Sequence, residues 1–302
     1  VSVAGGRKPP RGPSACPHPA RPAPPSSPAP GLPDSPGEPC SLPARRPPAT
    51  ELMTWPWGLV AAGVAACFAI NRVAAALVPR VASVTEGSKA HRMASHACVC
   101  LVHNALVTAA TMRLVPWRRL LSGEDVWRDP VPGFDLPAGL SAGFFLYDLL
   151  QYKLWEPFSL LLVAHHVLSF ACWTCAVDVT FAQPWIAYYM FTELSSVFLS
   201  SRTILGQLGD RNGPAYAATT GLFGASFFFV RTVPIPFLAR AWLRHPPLGA
   251  VACGPTRTAQ TMGWMSILPL FLNSFWSVAL VRKRMRDRSR AERARAEREK
   301  RA

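Results

Sequence analysis

Between Met53 and Val281 the chain carries a succession of apolar stretches broken by short polar joints. They fall at about 57–79, 94–112, 139–155, 158–181, 185–205, 214–239 and 260–281. Each comes close to the roughly 20 residues that a helix needs to cross a bilayer. The last six form a compact set, and the third is the shortest and most polar. The sixth holds Pro234 and Pro236, which remove backbone donors and predict a kink or early stop near Val233. The pattern predicts an all-α, polytopic membrane protein with six to seven transmembrane helices.

Composition sets the limits of that domain. A length of 302 residues has room for about two soluble domains. A chain that is 50% apolar and only 16% charged argues against that division. Sixteen of the 31 prolines fall in residues 1–52, among Ala, Gly and Ser and without apolar periodicity. Such a segment cannot bury enough surface to offset its ordering entropy, so it is expected to be disordered. The first methionine, Met53, directly precedes WPWGLVAAGVAACFAI, so two readings of residues 1–52 stand open: a segment outside the native mature protein, or a targeting segment. Residues 53–281 are then the membrane domain and 282–302 a basic tail.

The formal charge of +15 is unevenly spread, with eleven Lys/Arg against four Asp/Glu in residues 282–302. Basic residues without interleaved aromatics do not suit nucleic acid, and no nucleic-acid partner is expected. The run RKRMRDRSR follows the last span directly and places the C-terminus in the cytosol. Arg and Glu four residues apart (Arg288–Glu292, Arg293–Glu297) predict a solvated helix beside the anionic cytosolic leaflet. The endoplasmic reticulum and the plasma membrane both suit these features, and a homo-oligomer is an open expectation. Cys98, Cys100, Cys172 and Cys175 fall inside spans, where thiols act as small packing groups. Cys172-Trp-Thr-Cys175 has redox or metal spacing, but it sits in an apolar helix. No metal and no resident cofactor are therefore expected.

Ionisable groups inside the spans are the informative residues. Each costs roughly 2.5–3.5 kcal/mol at the centre of a lipid-facing helix, so each should face an interior and have partners. On the second span His96, Cys100 and His103 share one helical face. The third carries Asp148, Gln151 and Tyr152; the fourth carries the adjacent pair His165 and His166. Glu193, Ser196 and Ser200 form a stripe on the fifth, with Arg202 near its end. Arg231 and Asn273 mark the sixth and seventh. These stripes predict a polar cavity within the membrane, to which His103, Tyr152, Glu193, Ser196, Arg202 and Arg231 contribute. In an enzyme, His165 or His166 would serve as base or acyl acceptor. Asp148 would fix the imidazole tautomer, and Arg231 or a Tyr would assist an oxyanion.

The same residues carry a family resemblance. GFFLYD at 143–148, His165–His166, ELSSVFLSSR at 193–202 and the segment around Arg231 and Pro234 are similar to those of TLC-domain proteins, the group of TRAM, Lag1 and CLN8. The resemblance covers most of residues 57–281. It implies a TLC-type helical barrel open to lipid, with Asp148, His165 and His166 inside. The chain resembles the TLC domain-containing proteins more than the ceramide synthases. VLSFACWTC after the histidine pair departs from the synthase pattern, and no homeobox-like segment precedes the spans. The resemblance implies a protein that binds or senses membrane lipid and regulates membrane lipid composition. Its alternative is an N-acyltransferase joining acyl-CoA, as co-substrate, to a sphingoid base.

Overall fold

A computed structural model describes residues 55–151, 160–179, 181–247 and 265–301. Tyr152 and the proline-rich residues 1–52 lie outside this set. The described residues are helical and contain no strand. Four helices are long and apolar enough to cross a membrane: Trp57–Val81, Lys89–Thr111, Leu160–Val177 and Pro214–Arg244. The remaining three stretches also form helix, but shorter, interrupted or partly outside the described residues.

In chain order, α1 spans Trp55–Val81, α2 Lys89–Thr111, α3 Trp117–Ser122 and α4 Asp135–Leu150. Helix α5 follows at Leu160–Val179, α6 at Gln183–Phe191 and α7 at Leu194–Gln207. Helix α8 runs Pro214–Phe227, α9 Ile235–Arg244 and α10 Leu268–Arg301. Helices α1 and α2 meet through a tight joint. Ser88 caps α2 by accepting from the His91 amide at 3.1 Å, and His91 Nε2 lies 2.8 Å from the Ala75 carbonyl on α1.

Helix α1 packs against α4 and α2, outside the ring formed by the later helices. Small residues bring α1 and α4 into backbone contact. A Cβ on Gly63 would lie 2.7 Å from the Leu140 carbonyl, and one on Gly143 would run into the Val60 carbonyl. Around the ring, α2 packs on α7, α7 on α8, and α4 on α5.

One end of the bundle is closed by the loop after α3. Trp127 stacks on Phe181 and on Trp185, the latter with centroids 4.9 Å apart, and donates from its indole nitrogen to the His245 carbonyl. Gln183 accepts from the Val131 amide at 2.8 Å and donates to the Ala176 carbonyl at 3.1 Å. Outside the spans, Arg119 binds Glu124 and Asp129. That guanidinium, with the Ser122 hydroxyl, holds the Glu124 carboxyl below its ordinary range.

Two ring helices are interrupted, and both interruptions set the site. The fifth apolar stretch is not one helix: Thr192 and Glu193 form a turn between α6 and α7. Thr192 and Ser195 bond back to the carbonyls of Tyr189 and Thr192, a pattern that bends helices. In the sixth stretch the expected disturbance before Pro234 takes the form of a π turn, Phe228–Thr232, after which the helix resumes as α9. Pro234 has no N–H for the Val230 carbonyl, and the Tyr188 hydroxyl donates to that oxygen instead, at 2.5 Å.

Candidate functional site: a polar cavity within the helix ring

Six helices line a cavity of about 560 Å³. Phe144, Phe145, Leu162, Leu199, Phe227 and Trp276 supply much of its apolar wall. Its polar groups lie in two clusters. Cys100, Asp148, His165 and His166 come from α2, α4 and α5. Glu193, Ser195, Ser196 and Arg231 come from the α6–α7 turn, α7 and the π turn. Lys283 lines the cavity from α10, on the side of the basic tail. Helix α1 contributes nothing to the lining given by these residues.

Asp148 is the centre of the first cluster. It is only 4% exposed and lies in the last turn of α4. Its Oδ2 is 2.9 Å from His166 Nδ1, and its Oδ1 is 2.7 Å from His96 Nε2. The same His96 nitrogen lies 3.6 Å from Cys100 Sγ. A carboxylate so deeply buried requires compensation, and two imidazoles, one on each oxygen, are placed to supply it. His166 meets Oδ2 through Nδ1, the arrangement in which a carboxylate orients an imidazole base. His165 makes an edge-to-face contact with Trp276 of α10 at 5.4 Å. Both members of the pair line the cavity.

Arg231 organises the second cluster. The extra residue of the π turn carries it inward, where it is 7% exposed. Its Nε donates to Ser195 Oγ at 2.9 Å, Nη1 to Asn273 Oδ1 at 3.2 Å, and Nη2 to Glu193 Oε1 at 3.4 Å. Nη2 also reaches Ser196 Oγ at 3.4 Å, and the guanidinium carbon lies 5.6 Å from the centre of the Phe227 ring. Glu193 is available because the chain turns there. The two helix interruptions thus deliver one buried ion pair.

The expected site residues divide accordingly. Asp148, His165, His166, Glu193, Ser196 and Arg231 meet around one cavity. His103 sits beside the lining: its ring stacks on Phe144 at 3.7 Å, and its nitrogens lie 3.1 Å from Asn104 Oδ1 and Ser141 Oγ. Arg202 is placed elsewhere, with Nε donating to the Tyr216 hydroxyl at 3.1 Å and its guanidinium over that ring. Tyr152 lies outside the described residues. Ser195 carries no signal in the sequence, while His96 and Asn273 mark polar stripes there without being assigned to the site. His96 shares a helical face with Cys100, but nothing in that spacing says which turn of α2 faces Asp148.

The TLC-domain family model (TRAM, LAG1, CLN8) matches residues 93–282. That range begins on α2 and ends on α10, so it takes in the whole ring and leaves out α1. No curated protein and no solved structure matches the chain significantly.

Proposed function

This chain belongs to the TLC-domain family of multi-pass membrane proteins, and from that membership we propose that it binds a membrane lipid in the ring and regulates membrane lipid composition. The observation that carries this reading is the cavity, in which two polar clusters share one lining with apolar walls. Its volume of about 560 Å³ falls within the roughly 300–1,000 Å³ of sites that enclose small ligands. An acyl chain would lie along the phenylalanines and leucines, and its polar head would meet Asp148–His166 or Arg231–Glu193. Lys283 marks the approach from the tail side, which we take as cytosolic because basic residues concentrate there.

Two measurements test this. Lipid analysis of the protein purified in mild detergent should return a specific co-purifying lipid, and that lipid should be lost in Asp148→Asn and Arg231→Met. Cells lacking the protein should show altered phospholipid acyl composition. An unchanged composition, with only bulk lipid co-purifying, overturns the reading.

The contact between Asp148 and His166 supports a second reading, N-acylation of a sphingoid base by acyl-CoA. His166 would take the proton as the amine nitrogen attacks the thioester carbonyl. The carbon–sulfur bond would break, CoA would leave as the thiol carrying that proton, and Asp148 would stabilise the transient imidazolium. Arg231, a cation of the cavity lining, would meet the developing oxyanion. Purified protein incubated with acyl-CoA and a sphingoid base should then turn over, with loss in His166→Ala and Asp148→Ala. Absence of wild-type turnover across acyl chain lengths rejects the enzyme while leaving lipid binding intact.

A further inference from the structure

From the convergence of His96, Cys100 and Asp148 we infer a zinc site on the α2–α4 wall of the cavity. The nitrogen, sulfur and oxygen ligand atoms of these three residues all lie within 4.8 Å of one another. His96 and Cys100 stand four residues apart on one face of α2, a spacing that points two ligands at the same spot. Asp148 meets them from α4. Zinc bonds of ~2.0–2.3 Å in a tetrahedral site set neighbouring ligand atoms about 3.3–3.6 Å apart. The Cys100–His96 separation of 3.6 Å already suits such a pair, and the Asp148–His96 separation of 2.7 Å would have to open by about half an ångström.

Hydrogen bonding alone leaves this cluster incompletely explained. His96 Nε2 carries at most one proton, yet it faces both a carboxylate oxygen and a sulfur. Its Nδ1 is buried with no hydrogen-bond partner among the described residues, and it is the nitrogen that carries the ring proton when Nε2 binds an ion. The cation of the opposite wall, Arg231, is held by Glu193. A zinc ion with one thiolate, one carboxylate and one neutral imidazole has no net charge, which suits a cavity inside a bilayer. On binding, the ion replaces the thiol proton of Cys100, which leaves to solvent. His166 stays on the other carboxylate oxygen and orients that ligand, as outer partners of metal sites do. Cys100 and Asp148 line the cavity, so the fourth coordination position faces it. Three protein ligands and an open position is the arrangement of zinc sites that bind or activate an exogenous group.

The inference does not rest on the lipid reading, and its test is separate. The full chain, purified in detergent through a tag without histidine or chelating resin, should contain about one zinc per chain by elemental analysis. Cys100→Ser and His96→Gln should each lower that content to background while the protein still melts cooperatively. Cobalt added to the zinc-stripped wild type should give the thiolate-to-metal charge-transfer band, and Cys100→Ser should abolish it. A wild type with neither stoichiometric zinc nor a cobalt–thiolate band overturns the site. If the variants fail to fold, the wild-type cobalt spectrum decides alone. Zinc without a co-purifying lipid would leave the metal site standing and remove the lipid proposal.

Discussion

Arg231 and Glu193 illustrate how much of this molecule depends on single side chains. Each is a charge within the spans, and each is tolerable because the other is there. Removing one partner of a buried pair costs about 3–5 kcal/mol, since the survivor stays buried without compensation. Arg231→Met should therefore lower the melting temperature sharply in mild detergent, and Glu193→Gln added to it should recover much of the loss. A double variant no more stable than Arg231→Met would mean that the pair is not the reason. Tyr188 is a smaller case. Tyr188→Phe removes the hydroxyl that serves the Val230 carbonyl, a loss of about 1 kcal/mol by the usual worth of such a bond. Asp148→Asn acts differently, because it keeps the shape and removes the charge that both imidazoles face. It should abolish specific lipid retention with little change in melting, as lipid analysis and a thermal ramp on one sample would show.

Among the elements, the packing of α1 on α4 is the most sensitive to one methyl group. Gly143→Ala would place a Cβ against the Val60 carbonyl and 2.8 Å from the Gly63 Cα, both backbone. Neither can move without separating the helices. The expected loss is about 1–3 kcal/mol, measured by thermal or denaturant unfolding in detergent. Gly221→Ala, on α8 with nothing within 4 Å, is the contrast and should be neutral or mildly stabilising. Some of this was legible in the residues and some was not. Asp148 and the adjacent histidines stood out because ionisable groups in an apolar run must find partners. Pro234 announced a disturbance, since a missing donor is visible in sequence. The break at Thr192–Glu193 gave no such sign, because it contains neither proline nor glycine and depends on hydroxyls bonding back to the helix. Arg202 and Arg231 look alike in an apolar context. Only the π turn, a product of the fold around it, distinguishes the arginine that points inward from the one that rests on Tyr216.

At the scale of the whole molecule, the continuity of α10 alters the meaning of the basic tail. The helix runs unbroken from Leu268 to Arg301, 34 residues, or about 51 Å at 1.5 Å per residue. Arg282, Lys283, Arg284 and Arg286 fall in the first turns beyond the end of the apolar stretch at Val281. A helix that continues along its axis carries later residues away from the bilayer. The field of an anionic leaflet fades over about 8 Å at physiological salt, little more than one helical turn. On the proposal that the tail meets an anionic leaflet, the proximal four basic residues would feel it, each by about 1 kcal/mol, whereas Arg288 pairs within the helix with Glu292. Orientation should follow the same division. Serine at 282, 283, 284 and 286 should leave a C-terminal tag partly protected from protease in intact microsomes, as a mixture of orientations. Serine at 293, 295, 298 and 301 should leave the tag fully accessible, with the same total charge removed. Equal effects from the two sets would mean that the tail acts through its overall charge and lies along the surface, and the projecting helix would be wrong for the membrane-embedded protein.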